Sequence, residues 1–303
     1  MDNIIVNSLD KQIVKPRPRP LCLQGSFFAD NMSLHTHTLF DDGMDDIETM
    51  CQAAYEKGLD AIGFSSHAPI EGTRFGVNWH MDKSRLAEYI SEIKAARRRW
   101  EGKIAVFLGL ELDYIKGIRS PLDSDIQSQC LDYIIGSVHY LAAHQNPFII
   151  DGYVQEVEKG IEENFGGSGD AMMHAYWDAV TEMVCSGGFD IVGHLDLLKK
   201  HNAKGRWFNP ESEQYLQRAE ETIAAIASAG LTVEVNTGCI NRKFLEEPCP
   251  SLPLLRILRR YNVPVLLSDD AHNAKDIGGN YSLARKILLE AGYEPVGLVS
   301  NFI

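Results

Sequence analysis

Histidine and acidic residues recur at one kind of position in this sequence, directly after short apolar stretches. His35 and His37 end the first of these stretches and are followed by Asp42 and by a turn-forming Gly43. Residues two apart on a β-strand project from the same face, so both imidazoles can reach one metal ion. A His-x-His pair is common by itself, however, and carries little weight without similar residues elsewhere.

Five more apolar stretches end in the same way. Their ligand-type residues are His67, Glu111, His139, His194, Asp270 and His272. Each of these, taken singly, is better interpreted as a hydrogen-bonded structural histidine or a solvated loop acid. Repetition at equivalent positions favours a shared metal site instead. Imidazole and carboxylate ligands without thiolate suit Zn²⁺, Mn²⁺ or Fe²⁺, and about nine ligands indicate two or three ions rather than one.

The elements that must position these side chains alternate between short apolar runs and longer helical patterns, which is typical of βα units on a parallel sheet. The candidate strands are residues 32–36, 61–65, 104–110, 133–138, 189–192, 231–235, 263–267 and, weakly, 297–299. The clearest candidate helices are residues 45–57, 83–100, 211–229 and 281–291. About seven such units predict an α/β fold, a distorted TIM-like (β/α)7 barrel, with an open doubly wound sheet as the alternative. In both folds the carboxyl ends of the strands converge on the active site.

The chain shows no Pro- or Gly-rich linker, so we expect a single barrel domain over residues 31–303. Residues 1–30, which include the stiff run from Pro16 to Pro20, are expected to form a peripheral or disordered arm. Residues 150–175 contain Gly166, Gly167 and Gly169 and are expected to form a flexible surface loop over the barrel mouth.

The charge balance limits the classes of partner. Twenty-nine Lys and Arg against 42 Asp and Glu give a formal net charge of −13, which disfavours nucleic acid and anionic membrane surfaces as partners. No window has the ~20 uninterrupted apolar residues of a membrane span, and the first 30 residues lack a signal peptide's apolar stretch. The six cysteines form no Cys-x-x-Cys pair. A cytoplasmic enzyme with reduced thiols is therefore expected, and its oligomeric state is left open.

The motifs, considered together, resemble those of the PHP superfamily of metal-dependent phosphoesterases over residues 32–299. They are His35-Thr36-His37, Asp42-Gly43, Ser66-His67-Ala68-Pro69, Gly109-Leu110-Glu111-Leu112-Asp113-Tyr114, Gly136-Ser137-Val138-His139, Gly193-His194-Leu195-Asp196 and Asp270-Ala271-His272. Within the superfamily, Trp79-x-Met81, residues 189–196 and Glu234-Val235-Asn236-Thr237 make the chain most similar to the PHP-type histidinol-phosphate phosphatases.

This resemblance implies a distorted βα barrel that holds a trinuclear metal centre. The first ion would be held by His35, His37, Glu111 and Asp270. The second ion, which Glu111 would bridge to the first, would be completed by His139 and His194. The third ion would be held by Asp42, His67 and His272. The candidate catalytic residues are Glu111, Asp270 and His272.

The activity that the resemblance implies is hydrolysis of L-histidinol phosphate to L-histidinol and phosphate, a step of histidine biosynthesis. Closely spaced divalent ions bind phosphate and supply hydroxide at neutral pH, so we hypothesise in-line attack by a metal-bridging hydroxide. Arg242 and Lys199, at the expected mouth of the barrel, are the candidate contacts of this small phosphorylated substrate. The alternatives are a PHP phosphoesterase acting on a nucleotide, a sugar phosphate or a phosphotyrosine peptide, and a non-catalytic metal-binding module.

Overall fold

A computed structural model describes residues 27–70, 78–141 and 147–296. The strands within these residues are β1 (Phe27–Ala29), β2 (Met32–Ser33), β3 (Ala61–Phe64), β4 (Ala105–Asp113), β5 (Tyr133–Ser137), β6 (Tyr140–Leu141), β7 (Phe148–Ile149), β8 (Ile191–Val192), β9 (Thr232–Asn236), β10 (Val265–Ser268) and β11 (Glu294–Val296). The first seven predicted strands overlap β2, β3, β4, β5, β8, β9 and β10. The weak candidate at residues 297–299 lies outside the described residues.

Nine of these strands form one parallel sheet in the order β11-β1-β10-β9-β8-β5-β4-β3-β2. The sheet curls until Thr36, just beyond β2, pairs in parallel with Ala271, just beyond β10. At this junction the His37 amide donates to the Ala271 carbonyl at 2.9 Å, and the Ala271 amide donates to the His35 carbonyl at 3.2 Å. The architecture is a distorted TIM-like barrel, which confirms the predicted α/β fold class.

Helices cover the outer face of the sheet. Those within the described residues are α1 (Ile47–Glu56), α2 (Leu86–Arg99), α3 (Ser124–Gln127), α4 (Val154–Phe165), α5 (Gly169–Ser186), α6 (Glu213–Ala229), α7 (Gly238–Asn241), α8 (Leu252–Arg260) and α9 (Tyr281–Glu290). The four predicted helices correspond to α1, α2, α6 and α9. The α1 helix begins where the Asp46 carboxylate accepts the Thr49 amide at 2.7 Å, which satisfies a donor that the first turn leaves free. No helix in the described ranges has the length and apolar character to cross a membrane.

Residues 150–175 do not form the surface loop expected from their glycines. They contain α4 and the start of α5. Gly166 ends α4 in the left-handed conformation, with φ of 58°, and the Ser168 hydroxyl caps α5 by accepting the Ala171 amide at 3.1 Å. The glycines therefore mark a boundary between two helices rather than a flexible loop.

The end of the predicted arm enters the sheet. Strand β1 pairs in parallel with both β10 and β11, and Phe28 is buried in the core. The Arg285 guanidinium then donates to the Asp30 carboxylate at 2.7 Å. Residues 1–26 lie outside the described residues, so their role as an arm stays a prediction.

The interior of the barrel contains a small apolar core below the carboxyl ends of the strands. Its members come from strands all around the barrel: Ala29, Met32, Leu34, Ala61, Phe107, Tyr133, Ile135, Ile191 and Leu266. Since strand side chains alternate between faces, Phe107 places Glu111 and Asp113 of β4 on the inner face as well. Tyr133 and Ile135 of β5 also face the interior, so Ser137, two residues further along the strand, faces inward as well. Polar side chains thus close the apolar interior at one end.

Candidate metal centre

Glu111 lies at the centre of the polar end of the barrel. Its Oε2 atom lies 3.1 Å from His67 Nδ1 and 3.2 Å from His35 Nε2. Its Oε1 atom accepts the Ser137 hydroxyl at 2.6 Å and lies 3.1 Å from His194 Nε2. One buried carboxylate therefore contacts imidazoles from several strands, as a residue bridging two ions must.

The structure brings all nine predicted ligands together at this end of the barrel. Ligand atoms within 4.8 Å of one another belong to His35, His37 and Asp270 in one group, and to Asp42, His67, His272 and His37 in another. The remaining pair is His139 and His194, whose Nε2 atoms are 3.0 Å apart. Two nitrogens bound to one tetrahedral zinc ion at ~2.0–2.1 Å would be separated by about 3.3 Å. These two histidines also belong to separate groups, His67, Glu111 and His139 in one and His35, Glu111 and His194 in the other, so the division of the nine ligands among individual ions stays a prediction.

Buried nitrogen atoms test whether this site suits a metal. His35 Nε2, His37 Nε2 and His67 Nδ1 are buried and have no hydrogen-bond partner within the described ranges. They lie 3.2, 3.7 and 3.1 Å from Glu111 Oε2. A buried polar atom without a partner costs about 1–3 kcal/mol. His37 Nε2 lies closer to Asp270 Oδ1, at 3.2 Å, so the three atoms are directed at two buried carboxylates, which fits a site for divalent cations.

Three carboxylates outside the nine predicted ligands contact the ligands on the side away from the cluster. Each accepts a hydrogen bond from the Nδ1 atom of a predicted ligand. The pairs are Asp41 with His37 at 2.6 Å, Asp113 with His139 at 2.6 Å, and Glu234 with His35 at 2.8 Å. Such partners fix the orientation and the tautomer of a metal-binding imidazole.

The sequence contains a signal that could have identified two of these carboxylates as neighbours of the metal ligands. Asp113 follows Glu111 by two residues on β4 and so shares its inward face. Asp41 directly precedes Asp42 after the His-x-His pair. Glu234 lies inside the apolar strand β9, fully buried, where a carboxylate is rare unless it is paired.

Buried carboxylates dominate the electrostatics of the centre. Burial alone would lower the pKa of His37, but Asp41 and neighbouring acids outweigh it and raise this pKa to about 10. The pKa of His139 is raised to about 9 against the same effect of burial, chiefly by Asp113. Burial would raise the pKa of Glu111, yet the surrounding imidazoles hold it well below its ordinary value. The site thus attracts positive charge, and metal binding would displace protons from these histidines.

Replacing Asp113 by asparagine tests the supporting role of these carboxylates. Asparagine keeps the shape but removes the charge that orients His139. We expect divalent-metal affinity to fall about 10- to 100-fold, measured by competition with a chelator of known affinity. Asp178→Asn, on the exposed face of α5, is the matched control. Equal metal affinity in both variants would contradict the role of Asp113.

The cluster opens into a cavity of about 290 Å³ whose wall includes Arg242. The guanidinium of Arg242 donates to Asp270 Oδ2 at 2.8 Å and to the Asp270 carbonyl at 3.0 Å. Its Nη1 atom also lies 3.1 Å from His272 Nδ1. The predicted substrate-contacting arginine therefore lies directly beside the predicted ligands.

Lys199, the second predicted substrate contact, is not brought to the cavity. Its side chain is buried in a separate ion-pair cluster, 2.9 Å from Asp196 and 2.8 Å from Glu247. The next residue, Lys200, lines the cavity instead. Both lysines follow the strand that precedes His194. A single 3-10 turn that ends at Lys199 separates the two side chains. The sequence pattern does not reveal this turn.

A sequence profile of the PHP domain matches residues 33–238 of this chain. The chain belongs to the PHP domain family. Over 243 residues it is 32% identical to a protein of Deinococcus radiodurans named "probable histidinol-phosphatase", covering 80% of this chain and 85% of that relative. It is 25% identical over 259 residues to the histidinol-phosphatase of Bacillus subtilis, covering 82% and 95% of the two chains.

A solved structure shares the fold of this PHP protein. It is histidinol phosphate phosphatase from Lactococcus lactis, in complex with zinc, L-histidinol and phosphate. The TM-score is 0.68 at 21% sequence identity, and the match covers 90% of this chain and 98% of that one. The overall fold of the chain is therefore one already seen in a solved structure.

Proposed function

We propose that this protein is a metal-dependent histidinol-phosphatase, which hydrolyses L-histidinol phosphate to L-histidinol and phosphate. One observation carries the proposal: seven of the nine predicted ligands line one small cavity together with the cationic side chains of Arg242 and Lys200, and the other two, His35 and His37, belong to the same ligand groups. The substrate is supported by the names of the D. radiodurans and B. subtilis relatives.

The nine ligands described above would hold two or three divalent ions. Zn²⁺, Mn²⁺ and Fe²⁺ all suit imidazole and carboxylate ligands. The zinc bound in the L. lactis structure favours Zn²⁺ as the ion of this protein. When bound, such ions lower the pKa of coordinated water and neutralise the charge of a phosphate.

The protein's own side chains bind and orient the substrate. Arg242 presents a planar fork of donors that matches phosphate geometry, and its hydrogen bonds to Asp270 hold it against the ligand cluster. Lys200 adds a second positive charge at the same wall. Asp270 and His272 contact Arg242 and belong to the ligand groups, so they align bound phosphate with the metal centre. A cavity near the lower end of the usual ~300–1,000 Å³ range suits a small substrate.

Release of phosphate from a substrate panel tests the proposal. The protein would be reconstituted separately with Zn²⁺, Mn²⁺ and Fe²⁺ and given L-histidinol phosphate, a nucleoside monophosphate, a sugar phosphate and a phosphotyrosine peptide. A strong preference for L-histidinol phosphate is expected. A flat profile would favour a broad phosphoesterase, and no release with any of the metals would favour a non-catalytic metal-binding module.

The two adjacent lysines make a matched pair of variants. Lys200→Met should raise the KM for the phosphomonoester about 10- to 100-fold, because one charge-assisted hydrogen bond to phosphate is worth about 1.5–3 kcal/mol. Lys199→Met should instead lower the melting temperature, since it leaves the fully buried Asp196 with an uncompensated charge. Steady-state kinetics and thermal unfolding separate the two effects. A larger change of KM in the Lys199 variant would contradict this assignment.

A further inference from the structure

A carboxylate lies among the cations of the cavity and is not used by the proposed mechanism. Asp151 lines the same wall as Arg242 and Lys200. Its Oδ1 atom accepts a hydrogen bond from Lys200 Nζ at 2.5 Å, and 24% of its side chain remains exposed. Asp151 is therefore accessible to a molecule bound in the cavity.

The backbone fixes Asp151 in this position. The short strands β6 and β7 pair in antiparallel fashion between His139 and Asp151, and the Ile150 amide donates to the His139 carbonyl at 2.9 Å. Lys200 Nζ also donates to the Asp151 carbonyl at 3.0 Å and lies 4.6 Å from the centre of the Phe244 ring. These contacts hold the carboxylate beside the metal ligand His139.

A carboxylate at this place is unfavourable for binding a simple anion, because like charges repel at short range. The Asp151 carboxylate forms an ion pair with Lys200 Nζ, so it presents a negative charge beside the cation. Apart from the predicted metal ligands, the described residues of the wall thus offer two positive groups for a phosphate and one carboxylate close to them. This charge pattern is complementary to a substrate that carries an ammonium group near its phosphate.

We propose that Asp151 determines specificity by accepting a hydrogen bond from the ammonium group of the substrate. The residue would select phosphomonoesters of amino alcohols over phosphomonoesters that lack an amine. The inference rests on the proposed phosphatase activity and deepens it. In L-histidinol phosphate the amine is on the carbon next to the phosphorylated one, which matches the adjacency of Asp151 and Lys200.

The test compares two substrates that differ only in the amine: L-histidinol phosphate and 3-(imidazol-4-yl)propyl phosphate. The measured quantity is the ratio of their kcat/KM values. In the metal-loaded wild type this ratio should favour the amine by about 10- to 100-fold, the worth of one hydrogen bond between charged groups. Asp151→Asn should abolish most of the preference, and Asp151→Glu, which keeps the charge, should retain part of it.

Lys200→Met is the contrasting variant: the pairing of β6 with β7 still positions Asp151, so kcat/KM should fall for both substrates while their ratio stays well above that of Asp151→Asn. An Asp151→Asn protein that loses activity equally on both substrates would show that Asp151 only positions Lys200, and would overturn the inference. An unchanged ratio in Asp151→Asn would also overturn it.

The experiments distinguish failure of the proposed histidinol-phosphatase activity from failure of the role proposed for Asp151. A wild type that hydrolyses other phosphomonoesters but not L-histidinol phosphate would refute the histidinol-phosphatase assignment. The role of Asp151 would then be decided with 2-aminoethyl phosphate and ethyl phosphate: a preference for the amine that Asp151→Asn removes supports it, and equal rates refute it. Absence of any phosphatase activity would refute both.

Discussion

Replacing Glu111 by glutamine should release bound divalent metal and lower kcat for phosphate release about 1,000-fold, equivalent to ~4 kcal/mol of transition-state stabilisation. The reason is geometric. The two oxygens of Glu111 lie within 3.2 Å of nitrogens of His35, His67 and His194. Glutamine keeps the volume of the side chain but replaces one oxygen by an amide nitrogen, which cannot bind a cation.

The measurements are metal content per chain by mass spectrometry and phosphate release at saturating substrate. Glu88→Gln on α2, where the side chain is 57% exposed, controls for the loss of one negative charge. Circular dichroism verifies that the Glu111 variant retains its helices and strands. Full turnover with an unchanged metal content would refute the bridging role of Glu111.

Replacing Arg242 by methionine should lower kcat/KM for the phosphomonoester about 100- to 1,000-fold, since two hydrogen bonds to a charged phosphate are worth about 3–4 kcal/mol together. Most of the loss should occur in KM. Burial would raise the pKa of Asp270, but Arg242 and the neighbouring histidines together outweigh it and hold the pKa of that carboxyl well below its ordinary value. Removing the guanidinium would therefore also weaken metal binding as the pH falls.

Arg242→Lys distinguishes charge from geometry. Lysine supplies a positive charge without the planar fork, so it should recover only part of the lost kcat/KM. Arg256→Met on α8, whose exposed side chain pairs with Glu290, is the control for loss of a surface arginine. An unchanged KM in Arg242→Met would remove this residue from the phosphate site.

The positions of the metal ligands could be predicted from the sequence because they depend on local patterns that determine where strands form and end. An apolar stretch such as residues 104–110 forms a strand, and the carboxyl ends of parallel strands meet at one end of a barrel. Glu111 follows from these two facts. His35 and His37 follow from the two-residue period of a strand, even though β2 itself ends at Ser33.

Other features depend on contacts that no local pattern contains. Lys199 and Lys200 are adjacent cations, and only the packing of the turn around Asp196 decides which one lines the cavity. Glu234 is an acid inside an apolar strand, and its partner His35 is distant in sequence. The glycines near Gly166 are compatible with a loop or with a helix boundary, and burial of the following helix selects the boundary.

The junction of the barrel joins segments that lie far apart along the chain. Thr36 and Ala271 join its two edges, and beside them Ser33 donates to Asp269 at 2.6 Å across 236 positions of sequence. His35 and His37 lie on one edge, and Asp270 and His272 lie on the other. A cation held by both edges would act as a reversible cross-link that closes most of the chain into a ring. Closing a ring of that length costs a flexible chain about 5 kcal/mol of entropy, and an ion bound only when the two edges meet would offset part of that cost by its binding free energy.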